Sequence, residues 1–167
     1  IRRPLDAGLF LAGFYDRISD STELTDFVNL PTPIWYQIRL NGRIPAIQSH
    51  LSRALDLRTG LLTFRYRLSI ADDWVDVQEQ RFFSLAKPSI LFLRLEFQGR
   101  GQVELLAGMD HQSCNSPIPD DQVKENSQII QMTRFCSGEA TDTGFSVRYE
   151  TKHTKLKLTQ TLSCRAE

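Results

Sequence analysis

The sequence predicts an all-β protein, an antiparallel β-sandwich with few or no helices. Two observations carry that prediction. Apolar residues recur with period two in run after run, and turn-forming residues separate the runs at short intervals. A third supports it: no long segment keeps apolar residues at three-and-four spacing between helix caps. Many short strands joined by turns suit a sandwich or a barrel.

Taken in order, Val28-Asn29-Leu30-Pro31 reads as a strand end, because Pro31 lacks the N–H that further pairing needs. Pro31-Thr32-Pro33 is rich in turn formers. Ile34, Tyr36, Ile38 and Leu40 then alternate with Trp35, Gln37 and Arg39, and this strand ends at Asn41-Gly42, a pair suited to a tight hairpin turn. Ser49 to Leu57 suits a short turn. Leu55-Asp56-Leu57-Arg58-Thr59-Gly60 reads as a turn entering the next strand. Gly60 gives it backbone freedom, and Asp56 and Arg58 are expected to pair across it. Leu62, Phe64, Tyr66, Leu68 and Ile70 alternate with Thr63, Arg65, Arg67 and Ser69, the pattern of a strand with one buried face. Ala71-Asp72-Asp73 is a turn.

Around Val75, Val77, Arg81, Phe82 and Phe83 the alternation slips, which predicts a β-bulge. Leu91, Leu93, Leu95 and Phe97 line one face of another strand. Ile90 and Phe92 on its other face predict burial on both sides of its first half. Gln98-Gly99-Arg100-Gly101 turns the chain into a return strand at Val103 and Leu105. Ser113 to Asp121 and Ser137 to Gly144 are turn-rich, and Asp120 to Asn126 suits a short turn. Ile130 and Met132, Val147 and Tyr149, and Leu156 and Leu158 repeat the spacing of two. Lys152, Lys155 and Lys157 place positive charge on the last strands, where lysine guards an exposed edge.

At 167 residues the chain fits one domain, expected to span 1–167, with no internal repeat and no dividing linker. Twenty basic residues balance twenty acidic ones. That balance argues against a nucleic-acid footprint and against polybasic membrane anchoring. No apolar run approaches the roughly 20 residues that span a bilayer. Ile1 to Asp6 has neither an initiating Met nor the apolar core of a signal peptide, so the chain is expected to be a piece of a longer one. Cys114, Cys136 and Cys164 are far apart and form no CxxC pair, which fits reduced thiols in a cytoplasmic protein.

The residues that could carry chemistry are few. His111 and Cys114 have ligand-like spacing, with Cys136 downstream, but a zinc site needs three or four converging ligands, and a polar loop with a small thiol is the simpler reading. Asp72-Asp73 and Asp120-Asp121 are adjacent carboxylates on turns. Glycoside chemistry needs two carboxyls opposed across a cleft, about 5 to 10 Å apart. No nucleophile elbow, phosphate loop or dinucleotide fingerprint occurs, and His50, His111 and His153 have no partner that sequence identifies. Phe14, Tyr15, Trp35, Tyr36 and Trp74 could stack on sugar rings, although aromatics more often seal a core or an interface. No catalytic, cofactor-binding or metal-binding residue is therefore assigned, and no cofactor is expected.

Several spaced motifs together carry a resemblance. They are Leu11-Ala12-Gly13-Phe14-Tyr15-Asp16, Glu23-Leu24, and Val28-Asn29-Leu30-Pro31 with Trp35. They continue with Asn41-Gly42, Leu55 to Leu62, Arg81-Phe82-Phe83-Ser84, and Asp110 to Asn115. In order and rough spacing they resemble the N-terminal domain of glycoside hydrolase family sixty-five, which includes maltose, trehalose and kojibiose phosphorylases and some α-glucoside hydrolases. The likeness covers most of residues 8 to 115. It implies a large two-sheet sandwich of the galactose mutarotase-like kind, placed before a helical linker and an (α/α)6 barrel.

In that family the barrel holds the catalytic glutamate and the phosphate site, and neither maps here. The family domain is also longer, and this chain lacks the Gly-rich segment that usually precedes the first motif. The resemblance thus implies a non-catalytic scaffold in an enzyme performing inverting attack by phosphate or water on an α-linked disaccharide. The expected partners are the enzyme's own barrel and a second copy in a homodimer. Disaccharide and phosphate would be bound by the parent enzyme, with no nucleic acid and no membrane. The alternatives are a stand-alone carbohydrate-binding sandwich and a structural interaction module.

Overall fold

In a computed structural model of the chain, residues 8–18, 20, 23, 25–110 and 131–166 are described, without the side chains of 33–35, 48–51 and 110. Among these residues the chain is all-β, with eleven strands and no helix. They are β1 (Tyr15–Arg17), β2 (Thr25–Phe27), β3 (Thr32–Leu40), β4 (Ala46–Asp56), β5 (Leu61–Ile70) and β6 (Asp73–Phe83). β7 (Leu91–Gly99), β8 (Val103–Asp110), β9 (Thr133–Thr141), β10 (Gly144–Thr151) and β11 (Lys157–Ser163) follow. They form two compact units. One is Tyr36–Gly108; the other combines the chain up to Trp35 with the chain from Met109.

In the central unit β4, β5, β6 and β7 form an antiparallel sheet in sequence order, and β3 bonds β8 in a second sheet. The alternation that predicts β5 places Leu68 on the inner face beside Val75 and Val77 of β6. Ile38 and Leu40 of β3 pack on them, with Val103 of β8 at the margin. This is the sandwich the pattern predicts. Leu40 is wholly buried and Val75 and Val77 nearly so. Each such side chain contributes about 1.5–3 kcal/mol relative to exposure. The other face of the sheet is wetted, as expected. There Arg65 Nε donates to Gln78 Oε1 at 2.8 Å, and Gln78 Nε2 donates to Glu96 Oε2 at 2.9 Å.

In the second unit β9, β10 and β11 form a sheet with β10 in the middle, and β1 pairs with β2. Its core is Phe14, Val28, Leu30 and Met132, with Leu9, Leu11 and Leu158 against it. β11, which carries Lys157, lies at a sheet edge.

Several expectations are corrected. Asn41 and Gly42 do form a tight turn, with φ of 50° and 73°. It closes only the single bridge Leu40–Arg43, and the chain crosses from one sheet to the other instead of making a hairpin. Pro45, just beyond the bridge, has no N–H with which to extend the ladder. Likewise β8 returns beside β3, not β7. β3 already begins at Thr32, so the Pro31-Thr32-Pro33 turn gives way to strand; proline is tolerated where a strand starts.

Ser49 to Asp56 lies in β4, whose alternation is scrambled by two register shifts, near Ile47–Ser49 and His50–Ser52. β6 has no bulge: its register with β5 and with β7 is unbroken. Ile90 and Phe92 are 38% and 49% exposed, so the first half of β7 is not buried on both sides. The presumed turn from Ser137 belongs to β9, which is exposed along nearly its whole length and so has no apolar face to announce it. Ser113 to Asp121 and Asp120 to Asn126 lie outside the described residues.

Candidate functional site

The unbroken register of β6 explains the apparent slip in its sequence. Val75, Val77, Glu79, Arg81 and Phe83 all fall on one face, because strand side chains alternate. Two charged residues therefore stand where apolar ones were expected. Glu79 is 3% exposed. Tyr36 of β3 donates its hydroxyl to Glu79 Oε2, and Arg81 Nε donates to Glu79 Oε1. The Tyr66 hydroxyl lies 3.2 Å from that of Tyr36.

Burial raises the Tyr36 hydroxyl far above the usual phenol range, and the bond to Glu79 adds to it. Burial also raises Tyr66. Arg81 and Arg53 approach the Phe64 ring, with guanidinium carbons 5.4 and 5.3 Å from its centre. Both Glu79 oxygens are engaged by protein donors. The carboxyl group is bound within the protein, not presented to a substrate.

A second buried carboxylate organises the other unit. Asp16 of β1 is fully buried. Its Oδ1 accepts the Thr154 N–H at 2.7 Å, and its Oδ2 accepts that of His153 at 3.2 Å. Burial alone would raise its pKa, but the donors from Thr154 and His153 outweigh burial and hold it below the ordinary aspartate value. His153 Nδ1 lies 2.7 Å from Asp20 Oδ1, on the surface. The histidine that lacked a sequence partner thus belongs to a clamp joining β1 to the β10–β11 turn.

The other residues weighed from sequence do not converge. Asp72 and Asp73 lie at the β5–β6 turn, where Asp73 Oδ2 accepts from Asn41 Nδ2 at 2.6 Å. Trp74 is covered by the Arg67 guanidinium, 4.2 Å from the ring centre, and Arg67 is bidentate to Asp76 at 2.6 and 2.7 Å. Phe14 is in the core, and the Tyr15 ring lies 4.4 Å from that of Phe27. Asp56 Oδ1 accepts the backbone N–H of Arg58 at 2.9 Å, so it caps its own turn and does not pair with the Arg58 side chain. Cys136 and Cys164 are exposed free thiols. His111, Cys114, Asp120, Asp121 and the side chains of Trp35 and His50 lie outside the described residues. Among the described residues no group of three His, Cys, Asp or Glu could hold a metal, and no helix is long and apolar enough to cross a membrane.

Compared with protein families, residues 6–167 match the model for the N-terminal domain of glycosyl hydrolase family 65. The chain belongs to this family. No individually curated protein matches it. The match runs well past Asn115, where recognisable motifs end, so the family pattern extends through β9, β10 and β11. Within this family 65 N-terminal domain the quoted motifs do structural work. Gly8 to Asp16 supplies the core residue Phe14 and the clamp residue Asp16. Asn29 Oδ1 accepts the Leu9 N–H at 3.1 Å, tying the first motif to Val28-Asn29-Leu30-Pro31.

The Glu79–Arg81 ion pair escaped the sequence reading. Its signal was available: odd-numbered positions along β6 keep parity, and two polar residues on a core face call for each other.

Proposed function

We propose that this chain is the accessory, non-catalytic β-sandwich region of an α-glucoside phosphorylase or hydrolase, supporting a separate catalytic barrel. Membership in the family 65 N-terminal domain carries this reading. The buried charges support it, because the Glu79 and Asp16 carboxylates are taken up by donors within the protein. The exposed thiols Cys136 and Cys164 fit a reducing, cytoplasmic setting. The parent reaction would be inverting attack of phosphate or water on an α-linked disaccharide.

The test is incubation of the purified chain with maltose, trehalose or kojibiose, with and without phosphate, alongside the full-length enzyme. Glucose 1-phosphate or glucose should appear only with the full-length protein. Turnover by the chain alone overturns the proposal. Titration calorimetry with the same sugars addresses a carbohydrate-binding role. Millimolar or tighter binding to the chain alone would favour such a module, which the covering of Trp74 by Arg67 argues against.

A further inference from the structure

The edge strand of a sheet carries unpaired N–H and C=O groups, and proteins blunt such edges with bulges, prolines or lysines. Among the described residues the edge strands of the two larger sheets are β4, β7, β9 and β11. Three of them carry such a device. The register of β4 breaks twice against β5, that of β9 breaks once against β10, and β11 begins with Lys157. β7 carries none. Its nine residues include no proline and no lysine, and its register with β6 is unbroken.

The ladder fixes where the free groups of β7 point. At its two ends Arg100 N–H donates to the Trp74 carbonyl at 2.7 Å, and the Ile90 carbonyl accepts the Ser84 N–H at 2.9 Å. Even-numbered residues therefore bond to β6. The N–H and C=O groups of Leu91, Leu93, Leu95, Phe97 and Gly99 point away from it, and among the described residues no strand pairs there. The side chains divide in the same way. Leu95 and Phe97 pack on the core, whereas Arg94 and Glu96 lie on the wetted face, 2.7 Å apart and 68% and 43% exposed.

This strand is complementary to itself run backwards. A second β7 that satisfies the outward groups must set odd residues against odd. Centred on Leu95, the pairing puts Leu95 opposite Leu95, Leu93 opposite Phe97 and Leu91 opposite Gly99, each pair exchanging N–H···O bonds. The apolar face then continues from one copy into the other. Arg94 of each copy meets Glu96 of the other at the non-hydrogen-bonded positions, where side chains lie closest. A slip of two residues either way sets Arg94 against Arg94 or Glu96 against Glu96. The charges thus favour the register centred on Leu95 over its neighbours.

We infer that β7 is the seam of a homodimer, with two copies of this chain joined edge to edge through Leu91–Gly99 about a twofold axis at Leu95. The occupant of the open edge is a second copy because the strand supplies its own complement in hydrogen bonds, apolar contacts and charge.

Charge exchange in the full-length protein tests it, with dimerisation followed by sedimentation over a range of concentrations. Arg94→Glu alone and Glu96→Arg alone each set like charges at both reciprocal contacts. Each should raise the dimer dissociation constant about tenfold or more. Both side chains are on the surface, so neither change should disturb the fold. Arg94→Glu with Glu96→Arg in one chain restores opposite charges in the same register and should return the constant to near the parent value. The two single variants should also pair with each other when mixed, because one carries glutamate at both positions and the other arginine at both. An ion pair serving only its own strand would give no such mixed dimer. A full-length protein that stays monomeric at every concentration overturns the inference. So does a dimer indifferent to both single changes, whose contact lies elsewhere. Weakening that neither the double exchange nor mixing repairs overturns the pairing centred on Leu95. None of these outcomes bears on the accessory role, which disaccharide turnover by the same samples reads separately.

Discussion

The internal ion pair of β6 gives the sharpest energetic prediction. Glu79 has a side chain 4% exposed, whereas that of Arg81 is 29% exposed. The two partners should therefore respond unequally to removal of the other. Arg81→Met strands a buried carboxylate, and breaking a buried pair costs about 3–5 kcal/mol. Glu79→Gln leaves Arg81 free to turn toward water, and its amide oxygen can still accept from Tyr36. Its cost should be only about 1–2 kcal/mol. The double change Glu79→Leu with Arg81→Met removes both charges at once. It should cost about 0–1 kcal/mol, because apolar replacement of a buried pair is often neutral, and the Tyr36 hydroxyl keeps Tyr66 as a partner.

Urea unfolding followed by circular dichroism reads all three. The expected order is Arg81→Met worst, Glu79→Gln intermediate and the double change mildest, so removing both charges costs less than removing one. A chain of this kind has about 5–15 kcal/mol in total, so Arg81→Met could leave too little to measure. Arg81→Lys, which keeps the charge and loses the fixed geometry, then serves as the milder single change. If the double change costs as much as Arg81→Met alone or more, the account of β6 is wrong.

Two further predictions follow from single positions. Asp16 has a pKa depressed in the folded state, so its contribution is present above the ordinary aspartate pKa of about 3.9 and is lost as pH falls through the lower folded value. Asp16→Asn should lose roughly 2 kcal/mol at pH 7, and its stability should vary less than that of the parent between about pH 5 and 2. Parallel pH slopes in denaturant titrations would remove Asp16 from the acid response. Gly60 has φ of +70° and open space where a Cβ would point, so Gly60→Ala should cost about 1 kcal/mol from backbone strain alone, and Gly60→Asn less. Equal midpoints for Gly60→Ala and the parent in thermal unfolding would contradict this.

Strands were legible wherever one face is buried and the other wetted, as in β5. That condition fails in two ways. β9 buries almost nothing on either face, so Ser137 to Thr141 looked like loop although its hydrogen bonds to β10 are those of a strand. β4 shifts register twice against β5, and its described side chains, Ala46, Ile47 and Ser52 to Asp56, are all exposed, so no buried face announces it in the sequence. Sheet membership was less legible still. Asn41-Gly42 announces a tight turn, and the turn is there, but which strand pairs with which is settled by contacts far apart in sequence, such as Gln102 N–H to Asn41 Oδ1 at 2.8 Å.

The misread bulge in β6 carries the most transferable lesson about the site. A bulge changes the parity of the apolar positions after it, whereas a buried polar pair leaves parity intact and changes only residue type. Val75 and Val77 before the anomaly and Phe83 after it are all odd, so the sequence already contained the distinction. A carboxylate and a guanidinium two residues apart on one strand share a face, and burying them is tolerable only when each satisfies the other. Tyr36, arriving from the opposite sheet, was beyond the reach of local reasoning. Glu79 nonetheless required a second donor, and a hydroxyl on the facing strand β3, whose side chains meet β6 in the core, was the nearest chemistry able to supply it.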